Sequence, residues 1–231
     1  KKELEQFIQN WITSYVGGVL GDLINLTNIK IKDQYLRALS FQLYENNGVL
    51  KRKNIDEIIK LISKEERKKL WSMGIKIGRY HIFLPKMLKP KAVILRTMLW
   101  KIYKNVTSHV NIPKFGLNFV INENFDEQFL LLCGFERFKN FFIRIDILEK
   151  LFINIMEKSI DRKFKISSDM MNLLGCSKEN FYELIDLMNY KKSKEIDTYY
   201  FAGEREKNKR RLIEKKDETN PFSKLLALNI K

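Results

Sequence analysis

The sequence predicts a mainly α-helical fold with short β-hairpins, built as an N-terminal helical bundle followed by a smaller α+β part. Three observations predict this. Apolar residues recur at helical spacing through most of the first hundred positions. Two short stretches, around residues 75–84 and 135–145, alternate or run apolar around turn signals as strands do. The block from Phe164 to Lys194 reads as strand, short helix, turn, longer helix, polar strand. With 231 residues the chain can bury a real core, as one large domain or two small ones.

In order along the chain, Leu4, Phe7, Ile8, Trp11, Ile12 and Tyr15 form a helical stripe that is expected to be core. Gly17 and Gly18 are expected to weaken or bend that helix, which runs to about Leu26. A second helix from about Asp33 to Asn46 places Leu36, Leu39, Leu43 and Tyr44 on one face, and Asn47-Gly48 ends it. Asn54 is expected to cap a short helix carrying Ile55, Ile58, Ile59 and Ile62, and Ser63 another that closes at Gly74. Ile75 to Leu84 then reads as a hairpin or bent ribbon with one basic face. Pro85 and Pro90 suit the first turns of a one-turn element and of a longer helix. In that longer helix Ala92, Leu95, Leu99 and Ile102 are the expected buried stripe, with Arg96, Lys101 and Lys104 facing elsewhere.

Residues 105–124 read as a linker, with Asn111, Pro113 and Gly116 and little periodicity. A helix ending at Gly134 and two strands around Lys139-Asn140 follow. Asp146 is expected to cap the next helix with Glu149 as its capping-box partner, and Leu148, Leu151, Phe152 and Ile155 to form the buried stripe. Residues 164–194, with a turn at Gly175-Cys176-Ser177, suggest a helix-turn-helix with a wing. Its second helix buries Phe181, Leu184, Ile185 and Met188 and exposes Glu179, Glu183 and Asp186. Phosphates would repel that face, so it is expected to be structural or to contact protein. The organisation is thus a helical domain over 1–104 with a basic hairpin at 74–84, a linker over 105–124, and a winged-helix-like α+β domain over 125–201. A flexible charged tail over 202–231 ends in the apolar peptide NPFSKLLALNIK.

The formal net charge of +15 favours a polyanionic partner. An AT-rich genome would add lysines everywhere, so distribution is the better test. From Arg67 to Asn122 there are twelve Lys or Arg and no Asp or Glu, where the chain's average density would give about seven acids. Within it, Lys76, Arg79, His81, Lys86, Lys89, Lys91 and Arg96 are the candidate nucleic-acid-binding residues.

Catalytic motifs are missing from the sequence. It has no phosphate loop and no dinucleotide fingerprint, and neither His81 nor His109 lies at zinc spacing from a cysteine. Catalytic residues, metal ligands and cofactors are therefore expected to be none. No run reaches the 18 or so apolar residues of a membrane span. Cys133 and Cys176 stand alone, which suits a reducing cytoplasm. The opening KKELEQF, without Met, suggests a piece of a longer protein.

The stretch MGIKIGRYHIFLPKMLKPKAVILRTMLW resembles the C-terminal region of a bacterial ATP-dependent helicase family, widespread in alphaproteobacteria and related to the RNA helicase of the mitochondrial degradosome. GFERFKNFFIRIDILEKL, FKISSDMMNLLGCSKENF and NPFSKLLAL resemble the same region in the same order, so the likeness runs from about Asp33 to the last residue. One departure is the charged run 203–218, which in the family is much richer in Arg and Pro. The resemblance implies two preceding motor domains that hold ATP, Mg and every ATPase motif. It implies an accessory region here that binds single-stranded RNA or DNA through the backbone beside them. A protein-interaction module, docking partners to the motor through the acidic winged segment and the tail peptide, is the alternative.

Overall fold

The structure, a computed structural model, describes residues 2–28, 33–106, 111–121, 126–195 and 197–202. The tail peptide and the charged run before it lie outside the described residues, as does His109.

Helix α1 runs unbroken over Lys2–Asn28. Gly17 and Gly18 do not interrupt it, and no atom lies within 4 Å of where a side chain at either position would start. Helix α2, Gln34–Glu45, starts at the Asp33 carboxylate, which accepts the Leu36 N–H at 2.7 Å. Asn47 and Gly48, both at positive φ, end it as expected and lead into strand β1, Val49–Lys51. A 3-10 turn then occupies Arg52–Asn54, so Asn54 is not a cap; helix α3 is Asp56–Leu61. Helix α4, Lys64–Ser72, opens with the full Ser63–Glu66 capping box.

Strands β2, Lys76–Ile77, and β3, His81–Phe83, form the expected hairpin, but β3 also pairs with β1, giving the order β1-β3-β2. Pairing on both edges buries every residue of β3. Pro85 starts a second 3-10 turn, and Pro90 is the first residue of helix α5, Pro90–Lys104.

The expected linker contains a strand. β4, Phe119–Ile121, pairs with β6, Phe141–Arg144, which also pairs with β5, Phe135–Phe138. Helix α6, Glu127–Leu132, precedes β5, and Lys139 at φ 45° makes the two-residue turn between β5 and β6. Helix α7 is Ile145–Glu157. Strand β7, Lys163–Lys165, helices α8, Ser168–Leu174, and α9, Lys178–Leu187, and strand β8, Tyr190–Lys192, follow in the expected order, and strand β9, Thr198–Phe201, is added to it. Their sheet has the order β7-β9-β8. The described residues are thus mainly helical, with three small antiparallel sheets among them.

One core gathers the second half of α1 with α2, α3, α4, β3 and the start of α5, around Leu39, Leu43, Leu70 and Ile82. Another gathers α7, α8, α9 and their sheet around Leu148, Leu151, Phe181 and Leu184. Two smaller clusters join the halves. Val93 of α5 packs with Phe129, Leu130 and Phe142, and Val49 and Phe83 pack on Ile145. The segments on either side of the expected linker are therefore in direct apolar contact.

One expected core stripe lies on the surface, and a second is buried only in its first half, at Ala92 and Leu95. Leu4, Phe7, Ile8, Trp11, Ile12 and Tyr15 of α1 are all exposed, Trp11 at 60%. Only the later turns of the same helix, from Leu20 to Leu26, reach the core. On α5, Leu99 and Ile102 are exposed at 40% and 66%, and the buried positions are Ala92, Val93, Leu95, Arg96 and Thr97. The buried stripe covers only the start of α5 because that is where both halves of the molecule meet it.

Candidate nucleic-acid interface

The basic hairpin is held from behind by an acid. Glu149, only 2% exposed, is not a capping-box partner: Arg144 is the N-cap of α7 and makes no side-chain cap. Its carboxylate instead accepts three backbone N–H groups in a row, from Arg79 at 2.6 Å and from Tyr80 and His81 at 2.8 Å each. Three consecutive amides turned onto one anion form a small cationic concavity. A Cβ at Gly78 would overlap the carboxyl, so only glycine leaves room for the approach.

This corrects the expectation for His81, which is 1% exposed and cannot meet a ligand. Its Nε2 lies 3.1 Å from Glu136 Oε2, and its Nδ1 lies 3.8 Å from Glu149 Oε1. Glu136 also takes Lys51, at 2.9 Å, and Lys51 reaches Glu127. Burial alone would push the imidazole pKa down, but the bond to Glu136 and the nearby charge of Glu149 outweigh it and raise the value above 6.5. For both glutamates burial opposes ionisation, yet His81 with Lys51, or with the amides of the hairpin, holds the pKa below the ordinary value.

Arg96 is the second correction. It is 2% exposed, and its guanidinium donates to the carbonyls of Asn47 and Met87, at the ends of α2 and of the second 3-10 turn. Those carbonyls have left regular structure and need donors, which an arginine arriving from α5 supplies. Burial pushes its pKa down to about 10, still protonated at neutral pH.

The remaining candidates reach solvent to different degrees. Lys76 is half-buried, with its ammonium 5.9 Å from the centre of the Phe83 ring. Arg79 is exposed and rests against Phe152 and Phe201, at 6.0 and 5.8 Å. Lys86, Lys89 and Lys91 are exposed within six residues at the start of α5; Lys86 pairs with Asp22 of α1 at 2.9 Å. Lys114, not singled out from the sequence, shares a cleft with Lys89. Its only sequence signal was membership of the acid-free segment.

Among the described residues no group of three His, Cys, Asp or Glu could hold a metal, and no helix is long and apolar enough to cross a membrane. No protein-family model matches the chain, and no curated protein or solved structure does either.

Proposed function

We propose that this chain is the C-terminal accessory region of an ATP-dependent helicase, and that it binds single-stranded RNA or DNA through backbone phosphates. The observation that carries the reading is the exposed group Lys86, Lys89 and Lys91, with Lys114 beside it, on a segment that holds no carboxylate. Lys86 shares its charge with Asp22, but Lys89, Lys91 and Lys114 enter no ion pair among the described residues, and exposed cations of that kind attract a polyanion and release its counterions on contact. In this reading ATP and Mg belong to motor domains that precede the chain. The resemblance of GIKIGRYHIFLP and the segments after it supports that assignment.

The second half fits the reading as a winged helix: α7, β7, α8, an αL turn at Gly175, α9, then the β8–β9 hairpin. The helix after the turn, α9, presents Glu179 to solvent, with Asp186 paired to Lys191 and Glu183 to Lys139, so it is unsuited to a nucleic-acid groove. Its place in the proposal is structural: α7 supplies Glu149, which holds the hairpin in front of it.

The test is salt-dependent binding of a labelled single strand. Each phosphate contact contributes a slope of roughly −0.7 in log affinity against log salt on a single strand. Replacing Lys86, Lys89 and Lys91 by Gln should flatten the slope by up to about two units, with melting unchanged. An unaltered slope sinks this placement of the surface.

A second reading is favoured by a separate observation, the exposed apolar stripes on α1 and on α5, where Ile94, Met98, Ile102 and Tyr103 face solvent. Apolar surface of that extent marks protein contact. Here the chain docks protein partners, its own motor domains first. Trp11→Glu with Phe7→Glu should then abolish co-purification with separately supplied motor domains and leave strand binding by the chain alone intact.

A further inference from the structure

Residues 111–118, which connect α5 to β4, lie against the first turn of α5 and enclose with it a cleft of about 200 Å³. Val93, Ile112, Phe115, Leu117 and Phe135 form the apolar part of its mixed lining. Its charged lining residues are Lys89, Lys114 and Arg144, with no acid among them. Arg144 is committed to Asp146 at 2.7 Å, whereas Lys89 and Lys114 enter no ion pair among the described residues.

A tight turn carries the aromatic ring of the cleft. The Leu117 N–H donates to the Lys114 carbonyl at 3.3 Å, closing a four-residue turn. Gly116, at φ +95°, occupies the third position, where positive φ marks the type II form that glycine favours. Phe115, half exposed (51%), lines the cleft next to Lys114. An accessible ring in a cleft that also carries two cations outside any ion pair matches a planar base carried on phosphates.

We infer that this cleft is a slot for one unstacked nucleobase of a bound single strand. Phe115 is the stacking face, the apolar walls take the base, and Lys89 and Lys114 meet the flanking phosphates. Base–aromatic stacking needs only a π-face, so the slot accepts any base and adds affinity without reading sequence. The inference rests on the proposed strand binding and gives that surface its base contact.

The experiment compares a labelled single-stranded oligonucleotide with the same strand made abasic, against the full chain and against Phe115→Ala. Expected are abasic binding at least about fivefold weaker, the lower end of base–aromatic stacking, and a similar loss for Phe115→Ala on the normal strand. Phe115→Ala should cost nothing further on the abasic strand, should keep the salt slope, and should be restored by Phe115→Tyr. Melting of each variant confirms that the half-exposed ring is not needed for folding. If the chain binds both strands equally, or Phe115→Ala binds as the parent does, the slot is refuted and the phosphate-binding surface stands. If the chain binds no strand at all, both fall. A free nucleoside monophosphate bound as tightly as the strand also refutes the slot, making it a mononucleotide pocket.

Discussion

Glu149 accepts the backbone N–H of His81 at 2.8 Å across 68 residues of sequence, and with it the N–H groups of Arg79 and Tyr80. One carboxylate thus ties α7 to the turn of the basic hairpin. Glu149→Ala leaves three amides without their acceptor, each costing about 1–3 kcal/mol when buried, so a loss of roughly 3–5 kcal/mol is expected on chemical denaturation. Gly78→Ala should cost about 1–3 kcal/mol on its own, because the new methyl overlaps the carboxyl. In the Glu149→Ala background the same methyl enters vacated space, and its cost should fall below about 0.5 kcal/mol. Additive losses in that double-mutant cycle would rule out the contact.

The same cluster sets a pH dependence. His81 has its folded pKa raised above 6.5, so its stabilisation is complete below about pH 6.5 and is lost as pH rises through the folded value. Glu136 and Glu149 have folded pKa values below 4.5, so theirs is complete above about pH 4.5 and is lost as pH falls through the folded values. Melting temperature should therefore be highest between about pH 4.5 and 6.5, and His81→Gln should remove the decline on the alkaline side. A His81→Gln profile that still falls in parallel with the parent would assign the decline to other groups.

How much of this was legible in the sequence depends on how local each cause is. Local causes read correctly: the cap at Ser63, the end of α2 at Asn47-Gly48, the Lys139-Asn140 turn, and the strand–helix–turn–helix–strand order over 164–194. Non-local ones did not. Glu149 sits three residues after Asp146, a spacing that fits a capping box, and only the folded chain shows that the hairpin amides take its carboxylate instead. Arg96 has the helical phase of a solvated residue until α5 is covered from two sides. The stripe on α1 has core periodicity along its whole length, yet periodicity reports only that a face is apolar and says nothing of what covers it. Of the candidate site, the charged segment was legible, and which of its cations reach solvent was not.

The turn between α8 and α9 gives an independent check on the second half. Gly175 stands at φ +67°, ψ 33° as the left-handed cap of α8, with its N–H bonded to the Met171 carbonyl. No neighbouring atom crowds its missing side chain, so the penalty of a substitution is conformational alone. Gly175→Val should destabilise by at least about 1 kcal/mol, and Gly175→Asn by much less, because asparagine tolerates this conformation. Equal melting temperatures for the two variants would contradict the left-handed cap.

Arg96 and Lys89 lie seven residues apart, one buried and one exposed, and they should fail in opposite ways. Arg96→Met leaves the carbonyls of Asn47 and Met87 without their donors, at about 1–3 kcal/mol for each group left unsatisfied, softened by removal of a buried charge. It touches no phosphate, so the salt slope of strand binding should stay as it is wherever the variant is folded. Lys89→Gln should shift stability by no more than about 0.5 kcal/mol, the usual range for a surface substitution. It should flatten the slope by roughly 0.7, one phosphate contact on a single strand. Denaturant melts and salt titrations on the two variants separate the roles. A flattened slope for Arg96→Met with unchanged stability would put Arg96 back on the binding surface, and an unstable Lys89→Gln would remove Lys89 from it.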